Sequence, residues 1–159
     1  MARRNQNWKI GDIFTVPIMN GQFVLGQVAG REASVLNSVT IAFYDYRYDS
    51  VQEAEKVDSL ERGKAFSVVF STRESLDSGD WHVVGNRAIA VSIDDMPYEN
   101  LRSSSFVGAK VIGSGILDEF LNAFYALMPW DDWKDPQYLD RLLLSPSKKP
   151  LHLIFRKAS

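Results

Sequence analysis

The chain has 159 residues, 45% of them hydrophobic, 12% aromatic and 24% charged, with a formal net charge of −2. That length and apolar content suit one stable domain spanning 1–159 and exclude a globally disordered chain. The near-neutral charge offers no overall attraction for nucleic acid, no apolar run reaches the ~20 residues that span a bilayer, and the lack of cysteine excludes disulfides and thiolate chemistry. Met1 to Asn7 carries charge but no hydrophobic segment follows it, so it reads as neither a signal peptide nor a twin-arginine signal. A reducing, cytoplasmic setting is the expectation.

In chain order, Asp12 to Ile18 and Gln22 to Val28 are apolar, β-branched runs around Asn20-Gly21, the signature of a β-hairpin. Gly26 inside the second run predicts a bulge or sharp bend, in preference to a close backbone approach or a ligand contact. Val39 to Tyr44 reads as a third strand, and Tyr44, Tyr46 and Tyr48 alternate with charged residues as at a half-buried strand end. Residues 50–63 read as loop or a short helix, and Phe66 to Ser71 as a strand. Glu74 to Asp80 carries turn signals, and strands follow at Trp81 to Asn86 and Ala88 to Ile93. Asp94 to Ser105 reads as loop around Pro97, and Phe106 to Ile112 as another strand.

The period then changes. Ile116, Leu117, Phe120, Leu121, Phe124 and Met128 fall at helical spacing, predicting a helix over 115–128 with Ser114 as N-cap and Pro129 as its stop. Asp135 and Pro136 predict the start of a second helix through Leu144. Leu151 to Arg156 reads as a closing strand. The expected class is α+β: a mostly antiparallel, strongly bent sheet or small barrel with two C-terminal helices packed on it.

Chemistry-bearing constellations are sparse. Ile112-Gly113-Ser114-Gly115 lies between strand and helix, but Asp118 stands where a dinucleotide-binding turn needs a small residue and would repel a pyrophosphate. Ser114 lacks the Gly-x-Ser-x-Gly frame of a nucleophile elbow. His82 and His152 read as sheet-face residues with no local metal-ligand spacing, and the adjacent acids Asp94-Asp95 and Asp131-Asp132 as solvated loop. No catalytic set, metal site or cofactor is expected. Residues 115–144 carry six acids, Asp118, Glu119, Asp131, Asp132, Asp135 and Asp140, against Lys134 and Arg141, a net of −4. Within them Trp130, Asp131, Asp132, Trp133 and Asp135 share one interhelical loop. One reading makes the rings a core plug. The other makes the loop a partner surface, with aromatic anchors and a carboxylate rim that speeds encounter with a basic partner. Both hold if the rings pack inward and the acids point out.

Gly11-Asp12-Ile13-Phe14, Val16-Pro17, Gly26-Gln27-Val28, Ala42 to Asp45 and Trp81 to Asn86 resemble, in order and spacing, the bacterial immunity protein 26 family. Ile112 to Gly115, Glu119 to Tyr125 and Pro129 to Asp131 resemble its longer members. The resemblance implies a cytoplasmic, non-enzymatic protein that binds and blocks a cognate toxin of a polymorphic or contact-dependent system, and it carries over no catalytic residues. A basic nuclease is the toxin class that an acidic, aromatic surface suits. The alternatives are a housekeeping protein-binding module or a barrel-type RNA binder or endoribonuclease, for which Arg31, Arg47 and His82 would have to supply the chemistry.

Overall fold

The computed structural model describes residues 5–32, 38–91 and 111–156. Ser92, Ile93, the loop expected from Asp94 to Ser105 with its paired acids, and the start of the strand expected from Phe106 lie outside the described residues.

Strands β1 (Asp12–Pro17) and β2 (Phe23–Glu32) form the expected hairpin, in register from Pro17 opposite Phe23 to Ile13 opposite Gln27. The Ile18 N–H donates to Gln22 O at 3.0 Å and the Gly21 N–H to Ile18 O at 3.0 Å. Gly21 has φ +86°, a left-handed conformation that closes the three-residue loop without the penalty a Cβ would bring. Strand β3 (Ser38–Tyr48) is longer than expected, because the alternating tyrosines continue it. Strand β4 (Ala65–Ser71) lies beyond β3, and β5 (His82–Asn86) pairs on the far side of β1. The short β6 (Val111–Ile112) runs parallel to β4; the other pairings are antiparallel. The sheet order is β5-β1-β2-β3-β4-β6. Among the described residues β5 and β6 do not pair, so the sheet is open: of the bent sheet and the small barrel, the first is observed. Register shifts at Ile13/Phe14, Val24/Leu25, Val28/Gly30 and Phe43/Tyr44 bend it.

Both faces of the sheet are covered, which is why β4 is buried throughout and β3 along its first seven residues, with near-continuous apolar runs. On one face Val39, Ile41 and Phe43 meet helix α3 (Ser114–Phe124) and the aromatic loop after it. On the other Ala42 and Tyr44 meet helix α1 (Val51–Glu55) and Leu60. Ser50 caps α1, its Oγ accepting from the Glu53 N–H at 3.2 Å.

Several expectations are corrected. Glu74–Ser78 forms a short helix, α2, in place of a turn. Residues 87–91 form no strand: the Arg87 and Ala88 carbonyls accept from Gln27 Nε2, and the Arg87 guanidinium donates to Glu55 O and Val57 O at the end of α1. Gly113, not Ser114, is the cap residue of α3. That helix stops at Phe124, four residues early. The Leu127 N–H donates to Asn122 O at 2.8 Å and the Ala126 N–H to Ala123 O at 3.0 Å, with Ala126 at φ 60°. This is a Schellman ending with alanine where glycine is usual.

The second helix shrinks to a 3-10 turn at Leu139–Leu142. Its continuation is pulled onto β4, with Ser67 Oγ donating to Leu142 O at 2.5 Å and the Leu144 N–H to Phe66 O at 2.7 Å. The closing strand reduces to one parallel bridge between Pro129 and Ile154.

At Gly26 the close approach is made by a ring and not by backbone or a ligand: a Cβ there would lie 2.5 Å from Phe14 Cζ. Phe14 has no retreat, being stacked on Trp81 with centroids 5.3 Å apart and edge-on to Phe43 at 6.4 Å. Gly26→Ala is expected to cost about 1–3 kcal/mol through overpacking, read from denaturant unfolding; an unchanged midpoint would mean that the Phe14 ring is free to shift. Ala126→Gly should have the opposite sign, a gain of about 1 kcal/mol in the same assay, because it relieves the left-handed alanine.

Candidate functional site

The loop after α3 is built from beneath. Trp130 is 1% exposed, packs against Phe120 at 5.9 Å and donates from Nε1 to Asp140 at 2.9 Å. Asp131 is also buried and accepts from the Arg156 N–H at 2.6 Å, while the Trp130 N–H donates to Ile154 O at 2.7 Å. These two bonds hold residues 154–156 extended against the loop. Trp133 is half-buried, its ring 4.9 Å from Tyr138. Asp132 is exposed and Asp135 partly so. Of the five residues singled out in the sequence, Trp130 and Asp131 therefore lie beneath the surface and shape the loop, Asp132 and Asp135 face outward to differing degrees, and half-buried Trp133 packs its ring against the core while leaving part of it exposed.

Folding also brings cations to this acidic segment. Asp132 pairs with Arg156 at 2.7 Å, Asp135 with Arg141, and Asp140 with Lys149 at 2.9 Å. The Arg141 guanidinium and the Gln137 N–H hold Asp135 below the usual carboxylate range. Burial pushes Asp140 up, but its bonds from Lys149 and Trp130 and the charges of Lys149 and Arg141 outweigh that and hold it low. Lys149 Nζ also lies 6.0 Å from the Trp130 ring and 5.8 Å from that of Phe155. Beside the loop, Leu151, Ile154 and Phe155 are exposed at 94%, 44% and 51%. Sequence reasoning missed them as surface, since alternation with His152 reads as a strand.

A second acidic group is differently placed. Among the described residues no cation pairs with Asp80, Asp118 or Glu119. Asp118 accepts from Trp81 Nε1 at 3.0 Å. Burial pushes its pKa up, the Trp81 bond opposes this, and the charges of Asp80 and Glu119 add to the rise.

The motif residues at the front of the chain are occupied in holding the sheet. Gln27, fully buried, donates from Nε2 to Gly11 O at 3.2 Å and Arg87 O at 3.0 Å and accepts from the Tyr44 hydroxyl at 3.4 Å. Asn86 donates to Asp12 at 3.0 Å and to Ile10 O at 3.2 Å, and Asp12 accepts from the Lys9 N–H at 2.9 Å. A shallow hollow of about 170 Å³ over Asn7, Trp8, Lys9 and Asp12 thus contains a carboxylate already engaged.

The residues that nuclease chemistry would need do not converge. Arg31 stands opposite Val39 and Arg47 opposite Val24, at opposite ends of β2 and about 23 Å apart along the strand. Arg31 lies over the Trp8 ring at 5.4 Å and Arg47 over that of Tyr125 at 4.4 Å. His82 and His152 are both exposed. Among the described residues no three His, Cys, Asp or Glu side chains are grouped to hold a metal ion, and no helix is long and apolar enough to cross a membrane.

Asp118 gives this region a pH signature. Because its folded pKa is raised, ionisation weakens the fold as pH climbs from the unfolded value of 3.8 through the folded one, and the penalty is absent below 3.8. Asp118→Asn keeps an acceptor for Trp81. It should raise Tm at pH 7, with the gain shrinking to nothing as pH falls below 3.8; a pH-independent shift would assign the effect to packing.

The family described as immunity protein 26 matches residues 9–105, more than half of the chain. Searches of characterised proteins and of solved structures return no match. The matched stretch holds β1 to β5 with the hydrogen bonds of Gln27 and Asn86, while α3 and the aromatic loop lie beyond it. On this match the chain belongs to the immunity protein 26 family.

Proposed function

We propose that this protein neutralises a cognate toxin of a bacterial polymorphic or contact-dependent system by binding it in the cytoplasm and occluding its working surface, without turnover. The observation that carries the reading is the family match over residues 9–105, since an immunity protein acts on a toxin. The site favoured is the outward side of the loop after α3: Asp132, Trp133 and Asp135, with exposed Ile154 and Phe155 beside them. Trp130 and Asp131 support that surface from below, so rigidity arrives with the fold and little ordering entropy is lost on binding. An aromatic anchor in a polar rim is the composition that dominates protein interfaces.

Because the loop's acids already have internal cations, its contribution is shape and apolar contact. Long-range attraction of a basic toxin, with a nuclease as the class it suits, falls to Asp80, Asp118 and Glu119, with which no cation pairs among the described residues.

Co-expression with its cognate toxin domain should rescue poisoned cells, and the purified chain should leave RNA intact; cleavage that disappears with a single side chain would make it an enzyme instead. For the loop, Trp133→Ala should weaken toxin binding at least tenfold with a Tm change of only a few degrees. Intact affinity with a large loss of Tm would restrict Trp133 to packing.

A further inference from the structure

The last described segment meets the candidate loop through its backbone. The Trp130 N–H donates to Ile154 O at 2.7 Å and the Arg156 N–H to Asp131 at 2.6 Å, so Phe155, the residue between them, has its backbone fixed on both sides. Its ring is less constrained, being 51% exposed, and among the described residues no other ring stacks on it. A half-exposed ring with no packing to choose between its rotamers would be ordered only on binding, at a cost in entropy.

One group does face that ring. Lys149 Nζ lies 5.8 Å from the centre of the Phe155 ring and 6.0 Å from that of Trp130, within the range at which a ring face attracts an ammonium. The ammonium is itself placed: it pairs with Asp140 Oδ1 at 2.9 Å, and the same oxygen accepts from Trp130 Nε1 at 2.9 Å. Its backbone is set as well. The Lys149 N–H donates to Pro146 O at 3.2 Å, ending the 3-10 turn Pro146–Lys148, and Pro150 confines it to extended backbone, here φ −68° and ψ 124°. The buried Trp130 ring and the exposed Phe155 ring therefore share one cation, and the acid that holds this cation is also bonded to the buried indole.

The geometry points to Lys149 as a positioning residue of the candidate surface: anchored on Asp140, its ammonium selects the rotamer of Phe155 and so pre-forms an apolar contact for the toxin. The inference rests on the function proposed above for what lands there, but the state of the ring is readable without toxin.

Removing the charge should free the ring without unfolding the loop. The Lys149–Asp140 pair is partly solvated, with side-chain exposures of 37% and 33%, and such pairs add little stability. Side-chain couplings measured by NMR on the full chain alone should show one χ1 rotamer for Phe155 in the natural protein. They should show an average over several in Lys149→Met, which keeps the stem but not the ammonium. Lys149→Arg should restore the single rotamer, and Asp140→Asn, which keeps an acceptor for Trp130, should average it. Against the toxin domain whose poisoning the chain relieves, Lys149→Met should weaken binding about tenfold, chiefly through faster dissociation, with Tm lowered by at most a few degrees. In a Phe155→Ala background the same substitution should change affinity by less than about twofold. Averaging already present in the natural protein, a single rotamer that survives Lys149→Met, or a loss of affinity that persists without the Phe155 ring would each overturn the inference. A natural chain that does not bind the toxin sinks the function proposed above; toxin binding indifferent to Lys149→Met sinks this inference alone.

Discussion

One aromatic ring has room only because a side chain is missing. Phe14 lies against Gly26 on the neighbouring strand and is stacked 5.3 Å from Trp81, in a space that a single methyl at position 26 would fill. From there the packing runs outward. Phe14 and Trp81 both meet Phe43 edge-on, Phe43 meets Phe66, and Phe66 meets Phe120 and Phe124 of α3. Phe120 then meets Trp130 at the root of the candidate loop. Interiors packed to crystal density do not absorb a displaced ring locally, so the position of the loop is tied to the hairpin through this series of contacts.

The division of labour follows from which polar groups are already spoken for. Gln27, Asn86 and Asp12 spend their hydrogen bonds on Gly11, Ile10, Lys9 and Arg87, closing β1 and β5 around one another. A buried amide left without these partners would cost about 1–3 kcal/mol, which is reason enough for such residues to mark the fold. Committed groups of this kind have little left to offer a toxin. In the function proposed above, the surface that meets one lies after the matched stretch, where α3 ends and the chain turns back.

That surface is also electrically quieter than its composition suggests. Asp132, Asp135 and Asp140 meet Arg156, Arg141 and Lys149, cations contributed by the 3-10 turn and the final segment. Exposed pairs of this sort add little stability, but they fix the loop's shape and cancel its field at a distance. Among the described residues no cation pairs with Asp118 or Glu119 midway along α3, where Asp118 is held beside the Trp81 indole.

Local chemistry sufficed for the front of the chain. Alternation and β-branching marked β1, β2, β3 and β4, Asn20-Gly21 marked the turn, and the apolar spacing of Ile116 to Phe124 marked α3, because each signal is written within a few residues of the element it specifies. The end of α3 was not legible, since its stop is an alanine in a left-handed conformation rather than a glycine. The second helix and the closing strand failed for a different reason. Leu142 and Leu144 are bonded to β4, and Ile154 and Arg156 to the loop at Trp130 and Asp131, so distant partners overrode local propensity. The sequence alone thus determined the α+β class, the family and the aromatic, acidic make-up of the loop. Which of its rings are buried, which of its acids are neutralised, and that Gly26 serves a phenylalanine on another strand were decided by tertiary contact, because packing volume and ion pairing join residues from 6 positions apart, as in Asp135 with Arg141, to 24, as in Asp132 with Arg156.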